Sequence, residues 1–545
     1  MTARTSPEAT LSARGALPKL QFAASLDEID GDIDTFIVPV FRGDSGLELA
    51  GGPTRVLSSE QEIELWKLLT SVGAQGNAGE ITTLPGAVLS TEPSADSSQT
   101  AADAQSQTDS HSEKATASGG HPTHRNIAKI LAVGLGDVEE ISDEDIRQAA
   151  GSASRAAGTA ATVVSSLGIF NVEAAMVGHA LGAYAYTGQQ TTTSAETIGT
   201  ITVLGNTQDG GATAKRATSI ARAVCFARDL VNAPANDLYP AKYAEIVASA
   251  AKASDLEVDI LDEKELEAQG YGGIIGVGRG SENPPRLVRL TYTPHNADDN
   301  TPTVALVGKG ITFDTGGVSL KPAANMWNMI SDMGGSAAVV ASILLASALK
   351  INAKVIATIP MAENMLSASA IRPGDILRHY DGQTTEVLNT DAEGRLILAD
   401  AIARACEDKP DYLIETATLT GAQMVALGNR TPGIMGSHAF RDKVAMHSQA
   451  VGENGWPMPL PSELNEALKS DVADMRNISD SRWGGMSVAG HYLSRFVTEG
   501  VEWVHIDVAG PAYNDASAYG YTPKRGTGVP VRTILATLES IANGG

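Results

Sequence analysis

The sequence predicts an α/β protein of two domains: a smaller N-terminal α/β domain, and a larger C-terminal α/β domain with a central mixed, largely parallel sheet covered by helices. Three observations predict it. At 545 residues the chain exceeds the roughly 100 to 200 residues usual for one domain. The runs Val304-Ala305-Leu306-Val307 and Val355-Ile356-Ala357 are continuously apolar, as strands buried on both faces are. Beyond about residue 257 such runs alternate with helical periodicity, the rhythm of a sheet whose connections are helices.

In the first domain, assigned to residues 1–210, residues 35–40 and 128–136 read as strands, the second ending in a glycine turn. Between them, residues 90–124 are Ser, Ala, Thr, Gln and Asp with almost no large apolar side chain. Such a stretch cannot offset its ordering entropy and is expected to be a disordered insertion. Alanine-rich periodicity predicts helices at 144–163 and 172–186, and a strand follows at 197–204. Residues 205–214 read as a polar joint.

The second domain, 211–545, opens on a helix at 216–231 that ends before Pro234. Strands are then expected at 257–261, 287–292, 303–307, 354–360 and 412–416, with helices at 263–269, 336–349 and 393–407. Gly276-Val277-Gly278-Arg279-Gly280 lacks the spacing of a dinucleotide loop and reads as a turn before Pro284-Pro285. Trp456 and Trp483 read as packing or interface residues, and His491 and His505 as hydrogen-bonded structural histidines.

Composition removes several function classes. The 64 acidic against 40 basic residues give a formal charge of −24, which disfavours attraction to nucleic acid and anionic membranes. Two cysteines, Cys225 and Cys406, provide neither a disulfide framework nor a thiolate zinc site. The longest apolar run, 337–349, falls short of the roughly 20 residues a membrane span needs and reads as a buried helix. With no apolar leader pattern in the first 26 residues, a cytoplasmic location is expected.

The most informative stretch is Asn389-Thr390-Asp391-Ala392-Glu393-Gly394-Arg395-Leu396, where two carboxylates and a guanidinium crowd beside a glycine. Upstream, Val307 to Gly317 carries Lys309 and Asp314, followed by Lys321 and by Asp332-Met333-Gly334-Gly335. Ligands in covered parallel sheets collect beyond the carboxyl ends of strands, where Lys309 and Asp314 fall. Four converging carboxylates, Asp314, Asp332, Asp391 and Glu393, would resist joint ionisation without strong positive charge. Either a salt-bridge network or metal supplies it. Oxygen-rich ligation without paired His or Cys suits divalent Mn, Mg or Zn, and two ions would neutralise all four acids.

These motifs resemble the leucyl (cytosol) aminopeptidases, a family of two-metal exopeptidases. Residues 389–396 reproduce its signature octapeptide, and 307–317, Lys321-Pro322 and 332–335 stand at the family's spacing from it. Residues 415–422 and 505–511 match too, and the resemblance runs from about Arg228 to Leu535. It implies one metal held by Lys309, Asp314, Asp332 and Glu393 and a second by Asp314, Asp391 and Glu393, with Mn or Zn as the ions. Lys321 and Arg395 are then the catalytic side chains, Lys321 facing the oxyanion and Arg395 a bicarbonate that serves as general base. Met329, Thr418 and Gly421 match positions lining the pocket for the first side chain. The resemblance further implies peptides with a free N-terminus as substrates, an apolar preference including Leu, and a homohexamer. A regulatory or DNA-binding role, held by some family members, is the alternative.

Overall fold

Alternation along single strands decides how the layers stack. In Thr303–Gly308, Val304 and Leu306 face one core while Ala305 and Val307 face another. Helices must therefore cover both sides, each fully buried Val or Leu contributing roughly 1.5 to 3 kcal/mol. The computed structural model describes residues 10–44, 46–49, 57–89, 126–137, 141–192 and 196–544. The low-complexity stretch at 90–124 lies outside them.

The second sheet has nine strands among the described residues, in the order Trp456–Pro457, Gly433–Gly436, Glu502–Asp507, Tyr412–Ala417, Thr303–Gly308, Lys354–Asn364, Arg286–Tyr292 and Glu257–Leu261, with Gly310–Asp314 paired to Lys354–Asn364. Its centre is parallel: Thr303–Gly308 runs alongside both Lys354–Asn364 and Tyr412–Ala417, and the latter alongside Glu502–Asp507. Arg286–Tyr292 and Gly433–Gly436 run against this centre, and Glu257–Leu261, antiparallel to Arg286–Tyr292, turns back to its direction. The sheet is thus mixed and largely parallel, as the buried apolar runs require.

Gly334–Leu349 lies on one face beside Gly210–Asn232 and Val531–Ala542. Met326–Leu349 is the one described segment long and apolar enough to cross a membrane, yet 83% of its apolar window is buried inside the protein. Gly394–Cys406 and Gly485–Ser494 cover the other face.

The first sheet has seven strands among the described residues, in the order Lys19–Ala23, Thr200–Leu204, Thr162–Ser165, Ile33–Gly43, Ile127–Asp137 and Ile81–Pro85, with Gly46–Leu49 folded back on Ile33–Gly43. Ile37, Leu131 and Val133 share the large core with helices Asp143–Ala157 and Val172–Ala183, while Phe36, Val38 and Ile130 pack toward Ser59–Ser71. The large core runs on into Gly210–Asn232 and the second sheet, so the two domains share apolar contacts.

Three expectations are corrected. The helix expected at 144–163 ends at Ala157, because Gly158 adopts φ +71° and the β-branched Thr162–Ser165 forms a strand. The joint expected at 205–214 is shorter, since Asp209 caps a helix that already starts at Gly210 by accepting from the Ala212 N–H at 2.8 Å. The turn expected at 276–280 is largely the helix Gly272–Gly278. Glycines survive in it because neighbours come close: a Cβ on Gly273 would stand 2.2 Å from the Leu396 carbonyl. Trp456 and Trp483 are not core residues, being 55% and 70% exposed.

Candidate metal centre

Three strand ends and two helix ends build the site. Lys309 directly follows Thr303–Gly308, pinned by its N–H to the Thr416 carbonyl at 3.1 Å and by its own carbonyl, which accepts from Ser336 N–H at 2.9 Å. Asp314 ends Gly310–Asp314, Asp332 closes the short helix Met326–Ser331 at the threshold of Gly334–Leu349, and Thr418 follows Tyr412–Ala417. Glu393 is the cap residue of Gly394–Cys406. The connections thus bring together residues more than eighty positions apart at the carboxyl edge of the parallel strands.

Asp314, Asp332 and Glu393 offer oxygens that all lie within 4.8 Å of one another, and all three residues are buried. The Lys309 ammonium donates to Asp332 Oδ1 at 2.7 Å and to the Thr418 carbonyl at 2.8 Å, and forms an ion pair with Glu393 Oε1 at 3.0 Å. Lys321 Nζ stands 2.8 Å from Asp314 Oδ2 and 2.5 Å from Asp391 Oδ1. Asp314 Oδ1 also accepts from the Gly316 N–H and the Asn364 amide, each at 2.8 Å, and Asp332 Oδ1 accepts from the Thr418 hydroxyl at 2.8 Å. Asp332 Oδ2 is buried without a partner.

Two ammonium groups face four carboxylates, three of them buried, so negative charge is in excess. Burial, followed by the neighbouring Glu393 charge, raises the Asp314 carboxyl above its ordinary value. Asp332 is raised well above it, again chiefly by burial, and burial raises Asp391 too. The carboxylates hold both Lys309 and Lys321 as cations against the opposing effect of burial. This charge pattern and the orphan oxygen fit divalent cations, whose charge would balance the acids as the lysines alone do not.

The sequence-derived residues divide into two groups. Lys309, Asp314, Lys321, Asp332, Asp391 and Glu393 converge in one linked cluster, and Thr418 joins it through its hydroxyl and carbonyl. Arg395 stands apart from these ion pairs: its Nη1 donates to the Asn477 carbonyl at 2.6 Å, its guanidinium lies 5.9 Å from the centre of the Tyr492 ring, and Nε is buried without a partner. Met329 is half-buried and its carbonyl accepts from the Asp332 N–H at 3.3 Å, while Gly421 starts the exposed edge of Gly421–Leu427. Gly394 has a steric role that the motif did not reveal, since a Cβ there would stand 2.5 Å from Lys309 Cε.

Sequence reading missed Asn364, which reaches Asp314 from the end of Lys354–Asn364. An asparagine at the end of a strand carries no signal without the partner strand in view. His505 meets the structural expectation through Nδ1, hydrogen-bonded to Glu415 in the neighbouring parallel strand, but Nε2 has no partner. His491 Nε2 is bonded to the Pro461 carbonyl at 2.7 Å.

A covered parallel sheet with a carboxylate and lysine cluster at its carboxyl edge is the setting of a metal-binding protein, and comparison with known proteins says of which kind. Residues 225–535 match the catalytic domain of the cytosol aminopeptidase family, and 96–193 match that family's N-terminal domain. A "Probable cytosol aminopeptidase" of Corynebacterium diphtheriae is 49% identical over 541 residues, 98% of this chain and 99% of that protein. Another, from a Mycobacterium species (strain KMS), is 53% identical over 528 residues, covering 94% of this chain and 96% of its own. Among solved structures, a tomato leucine aminopeptidase mutant superposes with TM-score 0.79 at 28% identity, covering 97% of this chain and 98% of that one. The bottromycin maturation enzyme BotP in complex with Mn gives 0.76 at 33% identity, covering 93% and 99%. The chain belongs to the cytosol aminopeptidase family. It is a metal-dependent aminopeptidase, a hydrolase acting on peptides.

Proposed function

We propose that this enzyme removes the N-terminal residue of peptides, Leu and other mostly apolar residues preferred, through a two-metal site, and serves intracellular peptide and protein turnover in the cytoplasm. The excess of buried carboxylate charge around Asp332 and Glu393 carries this reading. Lys309, Asp314, Asp332 and Glu393 would hold one ion, and Asp314, Asp391 and Glu393 the other. Mn or Zn suits this donor set, and Mn is named in the BotP complex. Such ions, when bound, supply Lewis acidity and lower the pKa of bound water.

The chain's own residues do the rest. Lys309, now an ammonium hydrogen-bonded to Asp332 and the Thr418 carbonyl and paired with Glu393, would have to release one proton to serve as a ligand. Lys321 stays a cation and stabilises the oxyanion that develops on the scissile carbonyl. Arg395 is assigned to an anion, bicarbonate, acting as general base. Its unpartnered Nε supports that role. Met329, Thr418 and Gly421 are assigned to the pocket for the first side chain. Domains of 1–210 and 211–545 and a homohexamer complete the proposal; the charge of −24 opposes a DNA-binding role.

The test strips the protein with a chelator and titrates Mn or Zn back while following hydrolysis of leucine p-nitroanilide and of its N-acetylated analogue. Turnover should appear only with metal, reach its maximum near two ions per chain, and be confined to the free amine. Full activity at one ion per chain, or equal turnover of the acetylated compound, would refute the mechanism.

A further inference from the structure

Asn477 follows the short strand Met475–Arg476, which runs parallel to Thr384–Glu386, and it is completely buried. Its side-chain Oδ1 accepts from the Leu388 N–H at 2.8 Å and the Asn389 N–H at 3.4 Å. Nδ2 donates to the Asn389 carbonyl at 2.7 Å and the Ala392 carbonyl at 3.3 Å. These contacts straddle Asp391 and stop one residue short of Glu393. The Asn477 carbonyl takes the Arg395 Nη1 hydrogen bond at 2.6 Å, and its N–H donates to the Glu386 carbonyl at 3.0 Å.

We propose that Asn477 is a positioning residue for catalysis: a single buried amide fixes the segment carrying Asp391 and Glu393, while its own backbone carbonyl aims Arg395. The proposal rests on the metallopeptidase reading of the cluster. Its physical basis is that the 388–392 segment lies between a strand and a helix and lacks a ladder partner for several backbone groups. A buried backbone group left unpaired costs free energy, so the segment takes whatever shape its partner imposes. Only a carboxamide presents an acceptor to two N–H groups and a donor to two carbonyls at once. Aspartate, of equal size, would set a carboxylate oxygen against the Asn389 and Ala392 carbonyls; alanine would leave the Leu388 and Asn389 N–H groups and the Ala392 carbonyl unpaired, the Asn389 carbonyl keeping only the Ala392 N–H at 3.3 Å.

Because the same residue touches the metal-facing and the anion-facing sides of the octapeptide, its loss should affect both. Groups that orient ligands from behind typically contribute about 10- to 100-fold in metal affinity or activity. The experiment compares wild type with Asn477→Asp and Asn477→Ser, the serine variant being the milder change in case the aspartate variant does not fold. Mn binding to the metal-free protein is measured by calorimetry, kcat and KM on leucine p-nitroanilide at saturating Mn, and thermal melting by circular dichroism. Mn binding should weaken about 10-fold or more, and the Mn-saturated kcat should fall about 10- to 100-fold with KM nearly unchanged.

A variant with a lowered melting temperature but wild-type Mn affinity and Mn-saturated kcat would overturn the proposal, since that is the pattern of a merely structural residue. Full recovery of kcat by excess Mn would overturn the Arg395 half of it. If wild type itself lacks metal-dependent turnover, the activity reading fails separately, and the calorimetric comparison still decides whether Asn477 shapes the Mn site.

Discussion

The two domains bury polar groups in opposite ways, and pH should separate them. In the N-terminal domain, His179 is wholly enclosed with Nδ1 2.8 Å from the Ser154 hydroxyl and Nε2 2.7 Å from that of Ser165. Burial pushes its pKa down to about 3, so it folds as the neutral ring. The unfolded chain takes up a proton at this residue below about 6.5. Stability from His179 is therefore present above pH 6.5 and lost as pH falls toward 3. The metal centre behaves inversely. Asp314, Asp332 and Asp391 are raised by burial, so the folded metal-free site keeps protons that the unfolded chain gives up. Stability from these acids is present below the ordinary aspartate range and lost as pH rises. A neutral pair satisfied by hydroxyls is a structural solution, whereas a cluster that resists its own charge is prepared for a cation.

The strongest way to break this contrast is Asp332→Asn. Removing one excess charge should raise the melting temperature of the metal-free protein near neutral pH, while metal-dependent turnover falls by at least about 10²-fold, the scale of losing one electrostatic stabiliser. Lower stability on scanning calorimetry, or retained turnover, would show that the charges are not in excess.

His179→Gln comes next. With each pKa unit worth about 1.4 kcal/mol, the wild-type histidine costs up to roughly 4 to 5 kcal/mol between pH 6.5 and 3. Urea melts followed across that range should show a flatter pH dependence for the variant, and an unchanged slope would remove His179 from the argument. Gly394→Ala should have a smaller effect, about 1 to 3 kcal/mol of overpacking, because the new methyl would press on Lys309 Cε at 2.5 Å. Its mark should be weaker Mn binding by calorimetry, since Lys309 is the group displaced. Smallest is Trp483→Ala: this side chain is 70% exposed, and stability in urea should stay within about 0.5 kcal/mol of wild type.

The strands around the site were legible because short runs apolar on both faces, as at 304–307 and 355–357, alternate with longer helical segments and suit a sheet covered on both sides. Helix limits were less so: the alanine-rich periodicity at 144–157 runs without a break in composition toward Val163, and the left-handed Gly158 is what ends it. The glycines at 272–278 read as a loop because their intrinsic preference opposes a helix, and close packing against Gly394–Cys406 reverses that preference.

For the site, the motifs named the charged residues, since carboxylates and lysines so spaced at strand ends have few uses other than each other or a cation. What no local pattern contained was the partner of each: that Lys309 donates to Asp332 and Thr418 and pairs with Glu393, that Asn364 supports Asp314, and that Asn477 grips the octapeptide from 85 residues away. The sequence by itself determined the layered α/β architecture and the identity of the chemical groups, because burial and charge are properties of residues. Distance, orphaned oxygens and the direction of each pKa shift were decided only when the sheet order brought separate strand ends together, because electrostatic and hydrogen-bond energies depend on geometry that the order of residues along a chain does not contain.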